Sequence, residues 1–193
     1  GAAKVGAGQI TNDDQATVTI ANVTQTEGNS GTKNFDFTVS LDKAAEIDVV
    51  VPWTFAHVTT NNTDFGGNSP TTSGKVTIAA GSTTGTITGF VVSGDTVLEA
   101  DETFTVTLGA PETTGAVLGA AKVGTGTIAN DDQVTANINS FSKAEGNSGT
   151  TAFDFTVTID QTADIDVVVP WTFANLTTTD DDFAAGLTKS GKV

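Results

Sequence analysis

Carboxylates in this chain are gathered into short groups. Of 193 residues, 23 are Asp or Glu, all eight basic residues are Lys, and the formal charge is −15. The acids that stand closest together are Glu27 in TEGNSG, Asp64 in NNTDF, then Asp95, Glu99, Asp101 and Glu102 across SGDTVLEADE, and Asp131 and Asp132 after Asn130. These groups offer oxygen and nothing softer, because Cys, Met and Tyr are absent and the one His is His57. Oxygen donors from several segments suit a hard divalent cation. Ca²⁺ accepts 6–8 of them at flexible geometry, and Mg²⁺ suits so crowded a set less well. The plain alternative is ordinary turn chemistry on a solvated acidic face. A carboxylate pair could serve glycoside hydrolysis, but no aromatic cluster accompanies these acids to hold a sugar. Disulfides, thiolate metal sites and cysteine nucleophiles are excluded. So is nucleic-acid binding, which needs a basic patch.

What must position the acids is a set of strands. Thr, Val, Ile and Phe alternate in short runs punctuated by Gly, Asn and Asp, with no helical period. Seven strands are expected in residues 15–132: A at about 16–25, B at 34–42, C at 46–55, D at 74–79, E at 84–92, F at 103–109 and G at 121–129. Ile47, Val49, Val51, Trp53 and Phe55 point inward on C, where Pro52 marks an edge or a bulge. Phe35, Phe37, Val39 and Leu41 point inward on B, and Phe104, Val106 and Leu108 on F. The faces of G are not distinguished. The pattern predicts an all-β, seven-stranded Greek-key β-sandwich of immunoglobulin-like type. If every connection reverses the chain, the A–B, C–D and E–F loops and the exit from G share one end. Those four segments hold Glu27, Asp64, the 95–102 acids and Asp131–Asp132. Repulsion there opposes folding, and a cation would relieve it.

The chain also repeats itself. GAAKVGAGQITNDDQ at 1–15 returns as GAAKVGTGTIANDDQ at 119–133, EGNSGT at 27–32 returns at 145–150, and VVVPWTFA at 49–56 returns at 167–174, always 118 residues on. SGKV at 73–76 returns at 190–193, one residue early. The period is that of a domain rather than of a solenoid repeat. The expected organisation is the final strand of a preceding unit at 1–14, a complete unit at 15–132, and the front of a following unit at 133–193. With no Met, the sequence is expected to be a processed product or a window of a longer array.

Residues 15–132 resemble the Calx-β domain. The matching pieces are TEGNSG, the apolar strand C, DF at 64–65, SGKVTIAAGSTTGTITGFVV at 73–92, LEADETFTVTL at 98–108 and GTIANDD at 126–132. The resemblance implies a seven-stranded sandwich and a Ca²⁺ site. Its ligands would be Glu27, Asp64, Asp95, Glu99, Glu102, Asn130, Asp131 and Asp132, with the Val97 carbonyl a further donor. Glu145 and Asp182 match Glu27 and Asp64; Asn12, Asp13 and Asp14 match the terminal triplet. The chain departs from the family where SGD stands for an acidic run at 93–95, where Asn130 replaces Asp, and in the C–D loop. Fewer charges imply fewer or weaker ions than the richest members hold.

The expected role is a calcium-binding structural repeat without catalysis, forming an extracellular stalk or filament in adhesion or surface assembly. Its partners would be neighbouring repeats, identical chains and a surface receptor that the sequence does not identify. A regulatory calcium sensor of a membrane protein, or an appendage of a carbohydrate-active enzyme, are the other readings. No apolar run approaches the ~20 residues of a membrane helix. His57 reads as a loop residue, Trp53 and Trp171 as packing, and the N-x-Thr sequons at Asn22, Asn61 and Asn175 as chance in a Thr-rich chain.

Overall fold

Alternation of apolar and polar residues produces strands wherever one face can be buried, and the first 130 residues do this thoroughly. The computed structural model describes residues 1–11 and 13–193; the expected match at Asn12 lies outside them. The chain divides into two units, one comprising Gly1–Asp95 with Asp101–Asn130, the other Thr96–Ala100 with Asp131–Val193.

The strands of the first unit are β1 (Ala16–Ile20), β2 (Val23–Thr26), β3 (Thr32–Asn34), β4 (Phe37–Leu41), β5 (Val49–His57), β6 (Ser73–Ile78), β7 (Thr84–Ile87), β8 (Val91–Ser93), β9 (Glu102–Leu108), β10 (Ala116–Leu118) and β11 (Val123–Ala129). One sheet has the order β10-β1-β4-β7, a second the order β2-β11-β9-β5-β6, and β3 pairs with β8 alone. Between them lies one core, drawn from Val18, Phe37, Val39 and Ile87 of the first sheet and Val51, Phe55, Val76, Phe104 and Val106 of the second. Phe104 is at its centre, with the ring centroids of Phe35, Phe37, Phe55, Phe65 and Phe90 5.4–5.8 Å away. Each fully buried Phe contributes roughly 1.5–3 kcal/mol by leaving water.

Strand lies in each of the expected stretches, and three of those stretches, A, B and E, are broken. A becomes β1 and β2, B becomes β3 and β4, E becomes β7 and β8, and G is β11 preceded by β10. The two halves of A lie in different sheets, as do β11 and the short β10 before it. The chain crosses at Ala21–Asn22, where Ala21 N–H donates to Thr38 O (3.0 Å) and Asn22 Oδ1 accepts from Thr125 N–H (2.9 Å). First and last strands then run parallel, β1 beside β10 and β2 beside β11.

Two local expectations are corrected or sharpened. Ile47 is 58% exposed, because β5 begins only at Val49 and Ile47 precedes it in the loop. Pro52 marks a bulge rather than an edge. Its carbonyl accepts from Gly109 N–H (2.8 Å), and the next bond on that side, Glu112 N–H to Val50 O (2.9 Å), lies one residue out of register. The inward face of β11 is Gly124, Gly126 and Ile128. A Cβ on Gly126 would run into the Phe104 ring, so the core is filled from across the sheet.

The second unit is sparser. β12 (Ala136–Ile138) pairs with β13 (Val157–Ile159), and β14 (Pro170–Thr172) with β15 (Ser190–Lys192), both antiparallel. Leu98 forms an isolated parallel bridge to Ala163, its N–H donating to Thr162 O (3.1 Å) and its carbonyl accepting from Asp164 N–H (2.9 Å). Phe141 packs on Phe153 and Phe155, at 5.7 and 5.0 Å between centroids. Phe153 and Phe155 remain 45% and 59% exposed, whereas their counterparts Phe35 and Phe37 are fully buried. Phe37 is covered by Phe90 and Phe104, which have no counterpart within 133–193. Among the described residues no helix is long and apolar enough to cross a membrane.

Candidate metal centre

Pairing senses fix the strand directions of the first unit. β1 and β4 are antiparallel, as are β4 and β7, β5 and β6, β5 and β9, and β9 and β11, while β2 is parallel to β11. With β2 continuing β1, directions alternate from A to G. The segments after β2, β5 and β8 and the exit from β11 therefore leave from one end, which is the arrangement the sequence predicts.

At that end the β3–β8 ladder pairs Thr32 with Ser93 and so draws the A–B loop onto the start of the E–F loop. Gly94 N–H donates to Gly31 O (3.1 Å). The contact is close enough to require glycine. A Cβ on Gly94 would overlap the Gly28 carbonyl and stand 2.7 Å from the Glu27 carbonyl. Glu27, held in this corner, is only 3% exposed, while Asp95, the residue after Gly94, is open to solvent. Glu102 opens β9 opposite Ile128 and is half-buried. Beside it, Asp101 Oδ1 accepts from Asn130 N–H (3.1 Å), tying the E–F loop to the end of β11. That tie was not anticipated, although EADE contained its residue.

Asp64 lies in the C–D connection, between β5 and β6. It lies in a single 3-10 turn, Thr63–Phe65, anchored by buried Phe65. Its Oδ2 accepts from Asn61 N–H at 2.6 Å, so the carboxylate closes its own loop. Asp182 does the same in the second unit, accepting from Thr179 N–H (2.7 Å) and Thr179 Oγ1 (3.2 Å). In both copies the Asp accepts from the backbone N–H three residues earlier.

The remaining expected donors divide between the units. In the first, Asp13 and Asp14 are exposed, and Asp14 Oδ1 is 3.5 Å from Lys43 Nζ in the B–C loop, at the opposite end from Glu27. In the second, Val97 and Glu99 are half-buried, Asp131 is exposed and Asp132 is only 4% exposed. Glu145 is exposed, its carbonyl accepting from Thr151 Oγ1 (2.5 Å). Among the described residues no group of three or more His, Cys, Asp or Glu side chains is gathered closely enough to hold a metal ion. The donor chemistry fits a hard cation, since Glu27, Asp95 and Glu102 offer carboxylate oxygens and no sulfur or imidazole stands among them.

No protein-family model matches the chain, and no curated protein matches it. Solved structures do. The apo form of the Calx CBD1 domain is 20% identical, with a TM-score of 0.50 over 62% of this chain and all of that domain. The Calx CBD2 domain is 13% identical, with a TM-score of 0.49 over 63% of this chain and 91% of that one. The calcium binding domain CBD12 of CALX1.1 is 20% identical, with a TM-score of 0.48 over 60% of this chain and 44% of that one. Over the 62% of this chain that is matched, the fold is similar to that of the Calx CBD1 domain.

Proposed function

We propose that the 118-residue repeat is a calcium-binding structural module, and that successive copies build a semi-rigid extracellular stalk or filament serving adhesion or surface assembly. Glu27 carries this reading. It is withdrawn from water at the end of the first unit where the acidic loops leave the sheets. Further oxygen donors follow on the adjoining segments, and oxygen donors drawn from several segments are what a hard divalent cation takes. The proposed donors within the first unit are Glu27, Asp64, Asp95, Glu102 and Asn130.

The stalk follows from where the donors lie along the chain. β11 ends at Ala129 and β12 begins at Ala136, so Asn130–Asp132 form half of the connection between repeats. A cation held by those residues restrains the connection itself. Near-identical copies favour length over a specialised site, which needs only one copy. The reading assigns no catalysis. Thermal melting in EDTA and in millimolar Ca²⁺ tests it: a higher melting temperature in Ca²⁺ is expected, and superimposed curves would overturn it.

A further inference from the structure

Residues 1–11 repeat a strand that the first unit buries. GAAKVGAGQIT stands for GAAKVGTGTIA at 119–129, the segment that contains β11. The inward positions of β11 are Gly124, Gly126 and Ile128, and their counterparts Gly6, Gly8 and Ile10 are unchanged. All the differences, at Ala7, Gln9 and Thr11, fall on the outward side, where β11 has Thr125, Thr127 and Ala129. Yet residues 1–11 carry no strand. Val5 and Ile10 are 92% and 100% exposed, and nothing stands within 4 Å of a Cβ on Gly6 or Gly8. The second unit presents the matching surface. A Cβ on Gly124 would meet the Ala21 carbonyl, Phe37 and Ile20, all within 3.0 Å. The counterparts of those residues are Asn139, Phe155 and Ile138. Phe155 and Ile138 are 59% and 60% exposed, where Phe37 and Ile20 are buried. The backbone around them is set as in the first unit. β12 and β13 pair in the register of β1 and β4. Asn139 N–H donates to Thr156 O (3.1 Å) as Ala21 N–H does to Thr38 O. Lys143 Nζ donates to Ala152 O (2.9 Å) where Gln25 Nε2 donates to Asn34 O (2.8 Å). Residues 141–144 therefore follow the course of β2, but among the described residues no strand pairs with them.

We propose that residues 1–11 of one chain dock on the second unit of another copy, as a strand parallel to 141–144 that lays Gly6 over Phe155 and Ile138. The pairing of β2 with β11 gives the register, with Gly8 opposite Phe141 and Thr11 opposite Ala144. The added strand supplies backbone hydrogen bonds to an open edge and takes exposed apolar side chains out of water. It fills the place of β11 and leaves that of β9 unfilled. Donor and acceptor are different surfaces of the chain, so the contact is heterologous and joins copies head to tail. No cation takes part, and the inference goes beyond the calcium reading.

The test is sedimentation of the full chain in EDTA over a range of concentrations, for the wild type, Gly6→Val and Ala7→Thr. The mass of the wild type should rise with concentration above that of one chain. Ala7→Thr installs the outward residue of β11 and should associate as the wild type does. Gly6→Val should stay monomeric where the wild type associates, because its side chain would collide with Phe155 and Ile138 of the acceptor. Its first unit should melt unchanged, since Gly6 touches nothing there. Register is read by mixing Thr11→Cys chains with Ala144→Cys chains under oxidation, in a sequence that has no cysteine of its own. Strand neighbours lie within disulfide reach, so the mixed disulfide should outnumber both like-with-like products. A wild type that is monomeric at every concentration, association that survives Gly6→Val, or mixed and like-with-like disulfides in the proportions of random collision would each overturn the docking. The calcium reading would stand in all three cases, because it is decided by melting with and without Ca²⁺.

Discussion

Glu27 and Asp42 are carboxylates of one unit with opposite surroundings. Asp42 is exposed, and its Oδ1 accepts from Thr17 N–H at 2.7 Å. That bond holds its carboxyl below the ordinary value of 3.8, with the neighbouring Lys43 charge adding to the effect. Asp160 repeats the arrangement on Thr135 N–H at 2.7 Å, and its pKa is lowered for the same reason. A folded-state pKa below the unfolded one means stability that is fully present above the unfolded value. It is lost as pH falls through the folded value. Asp42→Asn should therefore melt below wild type at pH 7, and the difference should close as the pH is taken well under 3.8. Calcium affinity should not change, because Asp42 is outside the donor set. Glu27→Gln should do the reverse. Its Ca²⁺ affinity, read by titration, should fall by about tenfold or more, since charge count tunes such sites over orders of magnitude.

At the scale of elements, strand direction was legible and strand continuity was not. Direction follows from parity alone, so the shared end of the acidic segments could be read without knowing which strands pair. The breaks at Ala21–Asn22 and between β7 and β8 leave the apolar alternation almost undisturbed, because a strand that changes sheets still needs an inward face in each. The faces of β11 were hidden because its inward positions include two glycines, with the Phe104 ring supplying the missing volume at Gly126. An Asp before an aromatic residue, such as Asp64, looks the same in sequence whether it closes a turn or holds an ion; here its Oδ2 accepts from Asn61 N–H. Gly94 reads in the sequence only as part of the SGD that stands for an acidic run; in the structure it lets the backbone pass close to the Glu27 and Gly28 carbonyls. Gly94→Ala should cost about 1–3 kcal/mol by forcing the loop backbones apart. Urea unfolding should show this as a lowered midpoint with an unchanged slope.

For the whole molecule the two copies of the repeat are unequal. Every residue of the continuous apolar core lies within 16–128, while Phe153, Phe155, Ile138 and Val168 are exposed in the second unit. Regions with few buried apolar contacts open at low free energy. Chymotrypsin should therefore cut first at Phe153, Phe155 or Phe173, leaving a resistant product that contains residues 16–128. Early cleavage at Phe35, Phe37 or Phe104 would contradict the division of the chain. Calcium acts at this scale too. At a concentration about 100 times the dissociation constant, binding to the folded state alone adds about 2.7 kcal/mol. Set against a typical stability of about 5–15 kcal/mol, that is a large share.

Titration of the chelated full chain with Ca²⁺ by calorimetry asks most directly whether the acidic end is a cation site or a solvated surface. Saturable binding is expected, retained at moderate salt, only weakly reproduced by Mg²⁺, and strongly reduced in Glu27→Gln. Heats no larger than dilution up to several millimolar Ca²⁺, or saturation that Glu27→Gln leaves untouched, would contradict it.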